Sequence, residues 1–225
     1  MRQTRPVGKS CGRRNAERKI MWKGIDVSDN QGVISWEKVA GAGCQFAILR
    51  SVKRSGKPDG QFEANVSGCL TNGLPFEVYK YTYASVPSRA AEEAKQVVDL
   101  LHRYQLSCRI WWDVEDTSLK KAGTGVLTGL IQSARNIVEG AGMEFGIYTG
   151  LSFYNEGYFD ASAFDCPFWI ARYPAGASYP FSSEPPSDRY CPQIAQTLAA
   201  WQYTSRGRVN GISGDVDLNI RYLPL

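Results

Sequence analysis

The chain reads as a single-domain α/β protein in which eight strands close into one barrel. Three observations predict it. Strand-like and helix-like stretches alternate five times. Three further strands then follow with little helix between them. Acidic side chains recur near strand ends. Alternation implies parallel strands with covering helices. Acids gathered at the C-terminal ends of eight strands imply a closed barrel with one working rim. A chain of 225 residues is long enough to bury a sizeable core.

Residues 22–28 (WKGIDVS) form the first strand, and Asp29 to Gly32 turn away from it. Ser35 caps a short helix through Trp36, Val39 and Ala40, closed by Gly41 and Gly43. The second strand, 44–51 (CQFAILRS), carries an apolar run that predicts burial on both faces. A polar loop leads to a helix over 62–72, with Gly73 just past its end. The third strand is 75–84 (PFEVYKYTYA), rich in β-branched and aromatic residues. The next helix starts at Pro87-Ser88 and repeats apolar residues at Ala94, Val97, Val98, Leu101 and Tyr104. Strand four is 108–114. A helix over 125–141 follows, with Leu127, Leu130, Ile131, Ala134 and Val138 on one face, and strand five is 144–149. Residues 152–164 are short and aromatic, and 167–173 is strand six. Residues 174–196 carry five prolines and read as a long loop, a length that is often functional. Strands seven and eight are 198–204 and 215–220.

Charge divides the chain. Residues 1–21 are polar and basic, without hydrophobic periodicity, and read as a disordered extension before a barrel over 22–225. The net charge is +4, and residues 1–20 alone carry +6, so the barrel is mildly acidic and gives no nucleic-acid footprint. There is no signal-like apolar region and no apolar run long enough to span a membrane. Six cysteines without a C-x-x-C pair are expected to be free thiols and to hold no zinc. His102 is the only histidine, which excludes a two-histidine metal hydrolase and leaves a Ser-His-Asp triad without a suitable base. No metal or cofactor is expected.

Chemistry concentrates in Trp111-Trp112-Asp113-Val114-Glu115-Asp116. Alternation on a strand puts Asp113 and Glu115 on one face and Trp112 and Val114 on the other. Like charges held close disfavour joint ionisation, so one carboxyl keeps its proton near neutral pH. Closure of the barrel brings the last strand beside the first, and with it Asp217 beside Asp26. Taken singly, Asp26 reads as a turn cap and Asp217 as a turn residue. Together with Asp113 and Glu115 they make an acidic rim. Tyr81, Tyr83, Tyr148, Trp169, Tyr173 and Trp201 fall on or near strand ends, and Gln31, Arg50 and Gln202 add hydrogen-bond donors. Acids beside aromatic platforms suggest an oligosaccharide cleft and glycosidic cleavage, which needs a protonated carboxyl at the leaving oxygen.

From residue 22 onward the sequence resembles the glycoside hydrolase family 25 lysozymes, of endolysin and autolysin type. The matching pieces are Gly24-Ile25-Asp26-Val27-Ser28 with Gln31-Gly32, Tyr79-x-Tyr81-x-Tyr83-Ala84, Asp113-Val114-Glu115, Gly146-Ile147-Tyr148-Thr149, Trp169-Ile170-Ala171-x-Tyr173, Trp201-Gln202-Tyr203-Thr204 and Val216-Asp217-Leu218-Asn219. The resemblance implies an irregular TIM-like (β/α)5(β)3 barrel. It implies cleavage of the β-1,4 bond between N-acetylmuramic acid and N-acetylglucosamine in peptidoglycan glycan strands. Glu115 would be the general acid. Asp113 would raise its pKa and orient the substrate's N-acetyl group, and Asp26 and Asp217 would complete an acidic floor. A substrate-assisted route is open. The expected setting is the bacterial cell wall, with the protein a monomer. Lys80, Asp29-Asn30 and Gly150 depart from the commonest pattern. The rival readings are a non-catalytic peptidoglycan-binding domain and a chitinase-like barrel glycosidase.

Overall fold

The computed structural model describes residues 21–174 and 178–222. Five strand–helix units lead the chain: β1 (Trp22–Val27) and α1 (Trp36–Gly41), β2 (Phe46–Arg50) and α2 (Phe62–Thr71), β3 (Phe76–Tyr81) and α3 (Pro87–Arg103), β4 (Ile110–Asp113) and α4 (Thr124–Gly140), β5 (Phe145–Gly150) and α5 (Leu151–Asn155). They are followed by β6 (Phe168–Ala171), β7 (Tyr179–Pro180), β8 (Leu198–Arg208) and β9 (Val216–Arg221). Strands β1 to β6 are parallel neighbours in chain order. β6 pairs in parallel with β8, and β9 lies antiparallel between β8 and β1, which closes eight strands into a barrel. The first-to-last adjacency expected from the sequence is therefore present.

Two stretches differ from expectation. Within 174–196, where the prolines hide any periodicity, lie the two-residue β7 and a 3-10 turn over Asp188–Tyr190. β7 pairs with the outer end of β8, which runs four residues further than expected, to Arg208. The expected disordered arm lies, apart from Met21, outside the described residues, as does Cys11. The five described cysteines are unbonded. No helix among the described residues is long and apolar enough to cross a membrane.

The strand period of two sorts side chains into two cores. Phe46, Ile48, Trp111, Tyr148, Trp169, Ala199 and Ala200 fill the barrel interior. Ala47, Leu49, Val78, Trp112, Val114, Ile147 and Trp201 face outward into the helix layer, where they meet Val97 and Leu101 of α3 and Leu130 and Ile131 of α4. β2 is buried over Phe46 to Leu49, so both of its faces are covered, as its apolar run predicts. Interior packing leaves no room for a side chain at Gly146: an added Cβ would stand 2.5 Å from the Trp111 ring.

The end of the barrel away from the acids is closed by charge. Glu77 accepts from Arg221 Nη2 at 3.0 Å, from Arg109 Nη1 at 3.2 Å and from Trp111 Nε1 at 2.7 Å. Arg221 is fully buried. A buried charge is tolerable only when paired and hydrogen-bonded, and this cluster meets both conditions.

Candidate active site

Every strand that carries a predicted acid delivers it to the same end of the barrel. In the β1–β9 ladder Asp26 is the register partner of Asp217. Asp113 is the last residue of β4, and Glu115 lies two residues beyond it on the same face. All four carboxyls line one cavity of about 410 Å³. Its walls include Arg50, Tyr81, Tyr83, Tyr148, Trp169, Tyr173 and Gln202, all expected from the sequence.

Two expected residues are elsewhere. Trp201 is fully buried on the outward face of β8, in the helix-side core, and its Nε1 donates to the Arg172 carbonyl. Its neighbour Gln202 takes the inward position. Gln31 closes a capping box with Ser28 and donates through Nε2 to the Asp215 carbonyl at 3.2 Å. It thus ties the turn after β1 to the loop before β9 and does not line the cavity. Asn30, Tyr79 and Ser205 line it instead. Asn219 is a further addition, two residues after Asp217 and so on the same face of β9.

The cavity floor is a hydrogen-bonded lattice. Asp26 Oδ2 accepts from Gln202 Nε2 and from Asn219 Nδ2, each at 2.8 Å. Gln202 Oε1 accepts from the hydroxyls of Tyr148 at 2.8 Å and Tyr173 at 2.6 Å. Asn219 Oδ1 accepts from Trp169 Nε1 at 2.9 Å. These contacts fix both amide orientations, so each presents its NH2 to Asp26. At the upper wall the Tyr81 hydroxyl donates to Asp116 Oδ2 at 3.2 Å. The Tyr81 and Tyr83 rings lie 4.7 Å apart. Asp113 lines the cavity, and its Oδ1 is buried without a hydrogen-bond partner among the described residues.

Burial raises every acid on this floor, because a charge loses its water there. Asp26 goes up to about 6, with Asn219, Gln202 and Asp217 pulling the other way through hydrogen bonds. Asp217 goes up to about 9, from burial and then from the Asp26 charge. Asp217 is therefore the partner that holds the proton, which it shares with Asp26. Asp113 is lifted well above the usual carboxylate range by burial, then by Glu115 and Asp26. Glu115 is raised by burial first and by Asp26 second. The resemblance had assigned that lift to Asp113. After burial, the neighbouring charges that raise Glu115 are those of Asp26 and then Asp116, while Glu115 in turn raises Asp113. The arrangement provides a carboxyl at the cavity rim that is raised toward its protonated form, beside a floor of further raised acids.

Glu115 also borders a second groove, of about 520 Å³, lined by Gly150, Leu151, Ser152, Asn155, Ala171, Arg172 and Tyr173. The two hollows share Glu115 and Tyr173. A Cβ at Gly150 would meet nothing within 4 Å, so this groove is open where a side chain would otherwise stand. Among the described residues no group of three or more His, Cys, Asp or Glu has the geometry to hold a metal ion.

Known proteins share this arrangement of the chain. The autolytic lysozyme of Clostridium acetobutylicum is 26% identical over 197 residues, covering 88% of this chain and 55% of its own. Lysozyme M1 of Streptomyces globisporus is 28% identical over 224 residues, covering 88% and 66%. The chain thus spans less than two thirds of either relative. Among solved structures, the modular autolysin LytC of Streptococcus pneumoniae, in complex with a synthetic peptidoglycan ligand, superposes with a TM-score of 0.74 at 26% identity, over 90% of this chain and 47% of its own. The catalytic domain of endolysin ply40, from a bacteriophage of Listeria monocytogenes, gives 0.72 at 25% identity, over 89% and 92%. The family model described as Glycosyl hydrolases family 25 matches residues 25–212, and with more than half of its length so matched the chain belongs to that family.

Proposed function

We propose that the protein is an N-acetylmuramidase, hydrolysing the β-1,4 bond between N-acetylmuramic acid and N-acetylglucosamine in peptidoglycan. The observation that carries this reading is the position of Glu115 at the junction of two hollows, raised toward its protonated form. A glycan strand lying across both would place its scissile oxygen at that carboxyl. The names of the relatives, an autolytic lysozyme and an endolysin domain among them, agree with it.

In this scheme Glu115 protonates the leaving oxygen and later takes a proton from the incoming water. Positive charge then develops at the anomeric carbon above Asp26, whose negative charge the amides of Gln202 and Asn219 hold in place. The acetamido oxygen of the sugar serves as the nucleophile, which removes the need for a protein nucleophile. Asp113, whose Oδ1 has no partner among the described residues, accepts the acetamido N–H and so orients that oxygen. The tyrosine walls supply flat faces for sugar rings. The working place of such an enzyme is the bacterial wall.

The deciding experiment is mass spectrometry of digested peptidoglycan. New reducing ends on N-acetylmuramic acid support the assignment. New ends on N-acetylglucosamine, or an undigested wall beside cleaved chitin, refute it.

A further inference from the structure

β3 and the residues after it present two faces. Tyr79, Tyr81 and Tyr83 point into the cavity. Behind them lies Lys80, wholly buried, together with Thr82 and Glu93 of α3. Lys80 Nζ donates to the Tyr81 carbonyl at 2.6 Å and stands 3.7 Å from Glu93 Oε2. The same Glu93 oxygen accepts from Thr82 Oγ1 at 2.8 Å and from the Tyr83 amide at 3.3 Å. Lys80 also lies 5.3 Å from the centre of the Tyr83 ring. Among the described residues, the hydrogen bonds and ion pair of these two side chains go to residues 81, 82 and 83 or join the pair itself. A buried ion pair is weak support for stability, because desolvation offsets the attraction. Its geometric effect is strong, because the direct contacts of both charges converge on one three-residue segment.

We propose that the Lys80–Glu93 pair is a positioning device for sugar binding, which holds the segment Tyr81-Thr82-Tyr83 from behind the sheet and so fixes the two tyrosines at the cavity wall. The proposal rests on the muramidase reading. The charged groups facing Lys80 are Glu93 from α3, Arg50 from β2 and Asp113 from β4. Burial, with Arg50, brings the Lys80 ammonium down to about 8, against the pull of Glu93 and Asp113. The device is thus intact at neutral pH and slackens above pH 8.

The test is the KM and kcat of the full chain on soluble, uncrosslinked glycan strands. K80M/E93Q removes both charges and strands neither. It is expected to raise KM at least fivefold, with kcat within twofold and an unchanged far-UV spectrum. In the wild type KM should climb between pH 7 and pH 9. K80R carries a guanidinium that does not titrate in this range, so it should keep the neutral KM and lose the climb. A folded K80M/E93Q with unchanged KM overturns the proposal, as does a loss confined to kcat or a K80R variant that keeps the climb. A wild type that leaves the strands uncut would instead refute the muramidase reading.

Discussion

Asp26 of β1 and Asp217 of β9 are register partners across an antiparallel ladder, and they share one hydrogen-bonded proton at the floor of the cavity. The strand pairing that closes the barrel is also the pairing that brings two acids together. Closure and acid chemistry are therefore one structural event.

That pairing lowers stability as pH rises. Asp217 is raised from 3.8 to about 9, so the folded chain keeps a proton that the unfolded chain has released. The contribution is fully present below pH 4 and is lost as pH climbs toward 9. Asp217→Asn removes the titration. At pH 8 it should melt several degrees above the wild type, a gain on the order of 3 kcal/mol, and the gap should close as pH falls toward 4. Calorimetry of both proteins across that range checks it, and a constant gap would contradict the assignment.

Glu115→Gln should cut turnover by about a thousandfold, the usual scale for a lost general acid. The fold should survive, because the side chain sits at a rim and not in a core. Wild-type kcat/KM should decline as pH rises through the elevated pKa of Glu115, since the active form is the protonated one. A turbidity assay on purified walls reads both, and near-normal clearing by the variant would contradict the role.

Asn219→Ala removes one of two amide donors to Asp26 and leaves Trp169 Nε1 without its acceptor. Fewer hydrogen bonds to the charged form should push Asp26 further up. The acidic limb of the activity profile should move to higher pH, and stability should fall by about 1–3 kcal/mol. An unmoved limb would show that Asn219 does not hold the Asp26 charge.

Trp201→Phe separates core from cleft. The indole is enclosed in the helix-side core and donates to the Arg172 carbonyl. The variant should lose about 1–3 kcal/mol of stability while KM stays within twofold, since a buried donor–acceptor contact is lost. A raised KM with unchanged melting would return Trp201 to the sugar site.

The sequence made the barrel legible because strand and helix periods differ and the first five units alternate cleanly. It placed Asp26, Asp113, Glu115 and Asp217 because each stands near a strand end, where parity and closure suffice. Trp201 was misplaced for a physical reason. Residues 198–204 are buried on both faces, and alternation lets only one of the adjacent Trp201 and Gln202 point inward, so naming both for the cleft had to fail for one of them. Gln31 failed differently: an amide beside an acidic turn looks the same in sequence whether it caps that turn or reaches a ligand. The Glu77–Arg221–Arg109 cluster was invisible, because its members come from β3, β9 and the residue before β4, and only tertiary pairing brings them together. The register of Asn219 with Asp217 was available from alternation alone and would have added it to the floor.

The reversed direction of β9 has a practical consequence. Trp22 and Arg221 are register partners, four residues from the acid pair along each strand. At roughly 3.3 Å per residue the chain enters and leaves the barrel side by side, about 13 Å below the acid floor. A short engineered linker between these two points should therefore permit circular permutation, with fresh ends opened in a surface turn. A tether attached there would leave the acid-lined mouth facing away from its support.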